Sequence, residues 1–321
     1  MIQRISQCGI WQEILILLCV IGSSGCASVT PPENLKTTAY TAEMHEIPAG
    51  DCRVHSRRID NPGHTQGPLF ITVNGVPTTS LIYQRLGEAL EKRLDADVLM
   101  VDLPGTGGSR LHSGNYNWST QRECLRAYLT QQPDFTLVVH DVAGPILLPL
   151  LDELPQIRRV VVFNTVLKPS VFSPPFPLNC LRSCLFLSKP LAYAAPFWFY
   201  EYRVRDLGIA HDERVDRATI RAVFDEVRQD GGMGRLVDVM KGFELTQESD
   251  AAIGKGLAHD IPQLFIWGRG DPALSQELDH LPPGSPQRRV QILEQAKHYP
   301  MLDFVDESSA IISDWYQNLP M

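Results

Sequence analysis

Three side chains, Asp141, Asp271 and His298, occur in an order and in local settings that hydrolytic chemistry can use. Residues 135–146 read Phe-Thr-Leu-Val-Val-His-Asp-Val-Ala-Gly-Pro-Ile. The apolar run predicts a buried strand that delivers Asp141 into a sharp turn. Ala143 and Gly144 leave room for that turn, and the apolar residues after them predict a helix. A carboxylate at such a turn can attack a saturated carbon or an epoxide and form a covalent ester. A plainer role, capping the helix that follows, suits the same residue. Asp271 stands just past the apolar run Leu264–Trp267, in Gly268-Arg269-Gly270-Asp271-Pro272, and His298 comes 27 residues later in Ala296-Lys297-His298-Tyr299-Pro300. Nucleophile, acid and base in that order make a relay in which the acid orients the imidazole and the imidazole activates water. With no serine at the turn, a serine esterase is not expected.

A fourth segment, Val73-Asn74-Gly75-Val76-Pro77-Thr78, follows the first strongly apolar run. Its Val76 N–H, together with that of Val142 beside Asp141, would make an oxyanion hole. A simple Asn-Gly turn is the other reading. Asp102-Leu103-Pro104-Gly105-Thr106-Gly107-Gly108-Ser109 is also rich in glycine. It lacks the Gly-Lys-Ser/Thr of a phosphate loop and reads as a tight strand-to-helix turn.

Positioning these residues requires a sheet. Short apolar runs at 69–73, 98–102, 136–140, 160–164, 264–267 and 290–293 alternate with helical spacing such as Leu81, Leu86, Leu90 and Leu94, and with the run 125–129. That alternation predicts an α/β fold with a mostly parallel central sheet flanked by helices. The rhythm breaks between 167 and 260, where clusters such as Pro174-Pro175-Phe176-Pro177 and Pro196-Phe197-Trp198-Phe199-Tyr200 predict an inserted cap. The core then has two parts, 51–166 and 261–321, and the cap lies over the carboxyl edge of the sheet, where sheet ligands bind.

The first thirty residues differ from the rest. Arg4 precedes the apolar stretch 14–21, which is about half the roughly 20 residues a spanning helix needs and fits a signal-peptide core over 1–25. Ser23-Ser24-Gly25-Cys26 resembles the bacterial lipobox, apart from Ser23 where a leucine is usual. The resemblance implies acylation of Cys26, an expected membrane partner through the lipid, and a tether over 26–50; Ala27 implies the outer membrane, facing the periplasm. Export permits disulfides, yet the spacing of Cys52, Cys124, Cys180 and Cys184 favours no pairing. A zinc site at Cys180 and Cys184 lacks a second ligand pair, and no metal or other cofactor is expected. A net charge of −8 without a basic run excludes nucleic acid as a natural partner.

Together these segments resemble the α/β-hydrolase superfamily, and within it the aspartate-nucleophile branch of haloalkane dehalogenases and epoxide hydrolases, over roughly residues 68–320. Val139-His140-Asp141-Val142-Ala143-Gly144-Pro145 looks like that branch's Val-x-Asp-Trp-Gly-Gly-Pro turn. Lys297-His298-Tyr299-Pro300-Met301-Leu302-Asp303, with Asp230-Gly231-Gly232, is also similar to the mesoderm-specific-transcript group. Departures narrow what the resemblance implies. Dehalogenases normally hold the departing halide with a tryptophan after the nucleophile and a second donor on the oxyanion loop; Val142 and Val76 stand there, and only Trp118 or Trp198 could substitute. Asn74 replaces the usual histidine. Asn164, where some relatives place the acid, cannot serve as one, so Asp271 takes that role and Asn164→Ala is expected to keep most activity. Epoxide hydrolases of the branch protonate the ring oxygen with cap tyrosines, for which Tyr193, Tyr200 and Tyr202 are the candidates.

The expected function is therefore hydrolysis of a small or medium apolar substrate through an ester on Asp141. The alternative is a weak or inactive lipoprotein that binds an apolar ligand in the same capped pocket.

Overall fold

The computed structural model describes residues 40–59, 67–183, 187–282 and 285–319. The leader, Cys26, the first part of the expected tether and Cys184 lie outside these residues.

Among the described residues, strands β1 (Thr41–Ile47), β2 (Cys52–Ile59), β3 (Leu69–Val73), β4 (Asp97–Val101), β5 (Arg110–Leu111), β6 (Phe135–Asp141), β7 (Ile157–Thr165), β8 (Gln263–Gly268) and β9 (Arg288–Leu293) form one sheet. Its order is β1-β2-β4-β3-β6-β7-β8-β9, with β5 paired to β2. From β4 to β9 the neighbours run parallel, whereas β1, β2 and β5 are antiparallel to their partners. The α/β class expected from the alternating runs is what forms. Strands β3, β6 and β8 are buried at every residue, which explains their unbroken apolar sequence.

Helices α1 (Gln84–Leu94), α2 (Trp118–Leu129) and α3 (Ala143–Leu147) connect the first strands. Asn117 caps α2 by accepting the Thr120 N–H at 2.8 Å, which satisfies one of the orphan donors of the first turn. The insertion carries α4 (Leu178–Ser183), α5 (Ser188–Ala194), α6 (Phe197–Gly208), α7 (Arg217–Arg228) and α8 (Gly232–Lys241). Ile220, Val223, Phe224 and Val227 of α7 are buried, an apolar stripe at the i, i+3, i+4, i+7 spacing of one helix face.

The cap touches the segments that leave the carboxyl ends of β3, β4 and β9. The Tyr200 hydroxyl donates to the Pro77 carbonyl at 2.8 Å, Arg235 donates to the Gly107 carbonyl at 3.2 Å, and the Tyr299 N–H donates to the Gly208 carbonyl at 3.0 Å.

Two expected boundaries shift. Helix α9 (Gln247–Leu257) falls within the 167–260 expected for the cap, but it packs on the core segment 148–152 so tightly that a Cβ on Gly256 would lie 1.9 Å from the Leu148 carbonyl oxygen. The tether, expected through 50, gives way earlier to β1, whose residues pair with β2 from Thr41↔Arg58 to Ile47↔Cys52. Helices α10 (Pro300–Asp303) and α11 (Val305–Gln317) close the core.

Candidate active site

Asp141 ends β6 with φ +52°, a left-handed backbone that non-glycine residues rarely adopt and that a sharp strand-to-helix turn requires. The turn leaves no slack. A Cβ on Gly144 would lie 1.8 Å from Thr165 Oγ1, and one on Gly75 would lie 2.4 Å from the Asp141 Cβ. The Thr165 hydroxyl donates to the Asp141 carbonyl, tying the turn to the end of β7. Of the two roles open to Asp141 in the sequence, helix capping finds no support: α3 has no side-chain cap, and the carboxylate points elsewhere.

It points to the two backbone donors expected of an oxyanion hole. The Val76 N–H donates to Asp141 Oδ2 at 2.9 Å, and the Val142 N–H also bonds the carboxylate. Burial pushes the Asp141 pKa up; the charge of His298 and the Val76 and Val142 N–H groups pull it back part of the way, and the result stays above the ordinary aspartate value. The Val76 segment is itself held from within. Buried Asn74 donates through Nδ2 to the Gly75 and Thr78 carbonyls, both at 2.8 Å, and accepts the Leu103 N–H at 3.1 Å.

His298 and Asp271, on the loops that follow β9 and β8, meet Asp141 at the same sheet edge. His298 Nδ1 bonds Asp271 Oδ2 at 2.7 Å, which fixes Nδ1 as the protonated nitrogen and leaves Nε2 to act as a base. Asp271 Oδ1 accepts the Ala273 and Leu274 N–H groups at 2.8 and 3.1 Å. Burial raises the Asp271 pKa, but His298 and these N–H groups outweigh it and hold the carboxyl below its ordinary value. Burial lowers the His298 pKa, and the charges of Asp271 and Asp141 more than reverse that. Asp141, His298 and Asp271 are thus one electrostatically coupled group.

Two residues stand closer to this group than the sequence implied. Asn164, expected to be a bystander, is fully buried; it donates to Asp271 Oδ2 at 2.8 Å and grips Gly268 through the N–H at 2.8 Å and the carbonyl at 3.1 Å. His140 donates its Nε2–H to the His298 carbonyl at 2.9 Å, and burial keeps it neutral by pushing its pKa well down. Both sit on strand ends, where only the parallel alignment of β6, β7 and β8 brings them beside the loop residues.

The three cap tyrosines separate. Tyr202 is 57% exposed, and Tyr193 is 44% exposed with its hydroxyl given to the Gly231 carbonyl, so neither reaches the carboxylate. Helix α6 turns Tyr200 inward, where its hydroxyl reaches Pro77, on the segment that carries Val76. Tyr299, not singled out in the sequence, packs edge-on against the His298 ring with centroids 4.7 Å apart, and burial raises its pKa, with Tyr200, Asp141 and Asp271 raising it further. Its signal was its place directly after His298. Of the substitute halide donors, Trp198 is 47% exposed; Trp118 is fully buried against Phe243, with no partner for its N–H among the described residues.

Solved structures with the same fold carry different chemistries in their names. The Cif epoxide hydrolase of Acinetobacter nosocomialis aligns with a TM-score of 0.72 at 13% identity, over 96% of each chain. Cfl2 of Burkholderia cenocepacia aligns with a TM-score of 0.71 at 18% identity, over 89% of this chain and 100% of its own. A serine hydrolase of carbazole degradation, CarC, aligns at 0.65 with 12% identity, over 87% of this chain and 99% of its own. No curated protein matches the sequence. Such identities establish the fold alone. The model of the alpha/beta hydrolase family matches residues 70–310. With the sheet, the turn at Asp141 and the Asp271–His298 pair in place, the chain is a hydrolase and belongs to the alpha/beta hydrolase family.

Proposed function

We propose that this hydrolase opens epoxides through a covalent ester on Asp141. One observation carries the reading: Asp141 Oδ2 is already seated on the Val76 N–H at 2.9 Å, with the Val142 N–H and His298 both acting on the same carboxylate. In a serine enzyme those donors wait for the substrate's carbonyl oxygen. Here the oxygen that the Val76 N–H holds belongs to the nucleophile itself, which is the arrangement an aspartyl ester needs when water attacks its carbonyl carbon.

Asp141 Oδ1 attacks an epoxide carbon, the C–O bond breaks, and the ring oxygen takes a proton from a tyrosine hydroxyl; the candidates are Tyr299, packed on the His298 ring, and Tyr200, once its hydroxyl leaves the Pro77 carbonyl. Neutral His298 then removes a proton from water as the water oxygen adds to Asp141 Cγ. The negative charge that develops on Oδ2 stays on the two N–H groups. Collapse releases a diol, its leaving oxygen protonated by His298; the proton that water leaves on the Asp141 carboxyl then returns to the tyrosinate, which restores both the carboxylate and the phenol. Dehalogenation is a weaker reading, because the aliphatic side chains of Val76 and Val142 offer a departing halide no donor.

Rapid-quench mass spectrometry with styrene oxide tests the mechanism. His298→Gln should trap an adduct of one substrate mass on Asp141, because the ester forms and water is not activated. If no epoxide in a broad panel adds mass in either wild type or variant, the mechanism is lost and a ligand-binding lipoprotein becomes the better account.

The proposed location is a membrane surface, through a lipid on Cys26. The leader supports it, as does the Cys52–Cys124 disulfide, a bond that persists in oxidising compartments. No helix among the described residues is long and apolar enough to cross a membrane. Labelled palmitate should enter the wild-type chain and not Cys26→Ala.

A further inference from the structure

A second buried cluster, separate from Asp141, joins the cap to the segment that carries the Val76 N–H. Glu226, on α7, accepts from Thr79 Oγ1 at 2.7 Å with one oxygen and from Arg57 Nη2 at 2.7 Å with the other. Arg57, on β2, also donates to Ser80 Oγ at 2.5 Å and to Asp102 Oδ1 at 3.3 Å. Asp102 accepts the Ser80 N–H at 2.8 Å, the Gly108 N–H at 3.0 Å and His55 Nδ1 at 2.7 Å. Thr79, Ser80 and Asp102 are fully buried and Arg57 is nearly so. Both hydroxyls of the Thr79–Ser80 pair and the Ser80 N–H are thereby committed.

The arrangement is lopsided. From the core side, Asn74 fixes the segment at Gly75 and Thr78, and Asp102 fixes it at Ser80. From the cap side, the Thr79 hydroxyl is held by Glu226 and the Pro77 carbonyl by Tyr200, whose ring packs at a tilt against Phe224 of the same α7 helix, centroids 5.0 Å apart. Val76 lies one residue from Pro77 and three from Thr79, so a tilt of α7 moves both anchors together.

We propose that Glu226 is a positioning residue for the reaction. Through Thr79 and Arg57 it sets residues 76–80, and so it aligns the Val76 N–H on the Asp141 oxygen only when α7 is seated. The proposal rests on the aspartyl-ester reading above for its chemical consequence, and on geometry alone for the positioning. A short, doubly bonded carboxylate suits that task, since misplacing a donor by about 1 Å can cost on the order of 100-fold in rate.

The test compares wild type, Glu226→Ala, Glu226→Gln, Thr79→Val and Thr79→Ser by amide hydrogen exchange, and then with styrene oxide. Exchange at Val76, Thr78 and Ser80 should quicken about tenfold or more in Glu226→Ala and Thr79→Val, while the amides of β6 and β7 keep wild-type protection. Thr79→Ser keeps the hydroxyl and should behave as wild type, and Glu226→Gln, which keeps one acceptor for Arg57, should fall between. With styrene oxide, kcat should drop roughly 10- to 100-fold in Thr79→Val with KM within about threefold, the mark of support lost only in the transition state. Unchanged exchange over 76–80 in a folded Glu226→Ala and in Thr79→Val overturns the positioning. Should Glu226→Ala fail to fold, Thr79→Val carries the same reading with Arg57 still paired. A wild type that forms no adduct with styrene oxide counts against the epoxide chemistry, and the exchange result still decides what Glu226 holds.

Discussion

The imidazole of His298 sits between two carboxylates that it needs at different times. Burial lowers its pKa, and Asp271 and then Asp141 raise it past the ordinary value. Once Asp141 is esterified in the proposed mechanism, one raising charge disappears and the ring releases its proton more readily, in the state where it must take a proton from water. The acid limb of single-turnover ester hydrolysis should therefore lie at lower pH than the titration of His298 in the free protein, the latter followed by NMR. Asp271→Asn removes the stronger raising charge, so both should move to lower pH while turnover falls on the order of 10⁴-fold. A limb that moves upward contradicts the assignment. Asn164→Ala, expected from sequence to be mild, takes one donor from Asp271 and leaves the buried Gly268 N–H without its side-chain acceptor. It should cost about 1–3 kcal/mol in urea unfolding and leave turnover between that of wild type and Asp271→Asn.

The elements explain which parts of this site could be read from sequence. Runs such as Leu137-Val138-Val139 are buried on both faces, so β3, β6 and β8 announce themselves, and Asp141, Asp271 and His298 are legible as the residues just past strand ends. Strands β1 and β2 do not. Their sequences, Thr-Ala-Glu-Met-His-Glu-Ile and Cys-Arg-Val-His-Ser-Arg-Arg-Ile, belong to an antiparallel edge where charged residues are common, and Arg57 is buried only because Asp102 and Glu226 meet it from 45 and 169 residues away. The cap tyrosines are equal candidates in the sequence because helix spacing alone cannot say which faces of α5, with Tyr193, and α6, with Tyr200 and Tyr202, point inward; burial of Tyr200 and Val204 settles it for α6. The oxyanion segment gives a prediction at this scale. A Cβ on Gly75 would lie 2.5 Å from Asp141 Oδ2, so Gly75→Ala must push the Val76 segment off the carboxylate. Thermal stability should fall by about 1–3 kcal/mol, and styrene oxide turnover, where wild type shows it, by at least roughly 100-fold. Near-wild-type activity in Gly75→Ala would mean that the Val76 N–H is not needed.

Across the molecule, the bond from Cys52 to Cys124 ties the antiparallel edge to α2, closing a loop of 72 residues that contains β3, β4 and the whole Val76 segment. Both cysteines are fully buried, so reductant reaches the bond chiefly when the chain opens. Cross-linking a loop of that length removes unfolded-state entropy worth about 4 kcal/mol, roughly 10 °C in melting temperature for a chain of this size. Cys52→Ala combined with Cys124→Ala should melt lower by about that amount. Dithiothreitol should bring wild type down to the double variant and leave the variant where it is. Equal melting of the two proteins, with no effect of reductant, would show that the bridge constrains nothing. The same pair reports on the proposed export. Chain exported with its own leader should resist thiol alkylation at positions 52 and 124 after denaturation, whereas chain made without residues 1–25 in a reducing cytoplasm should be alkylated at both. Alkylation of both cysteines in the exported chain would remove the disulfide as support for an oxidising compartment and leave the leader alone to argue for it.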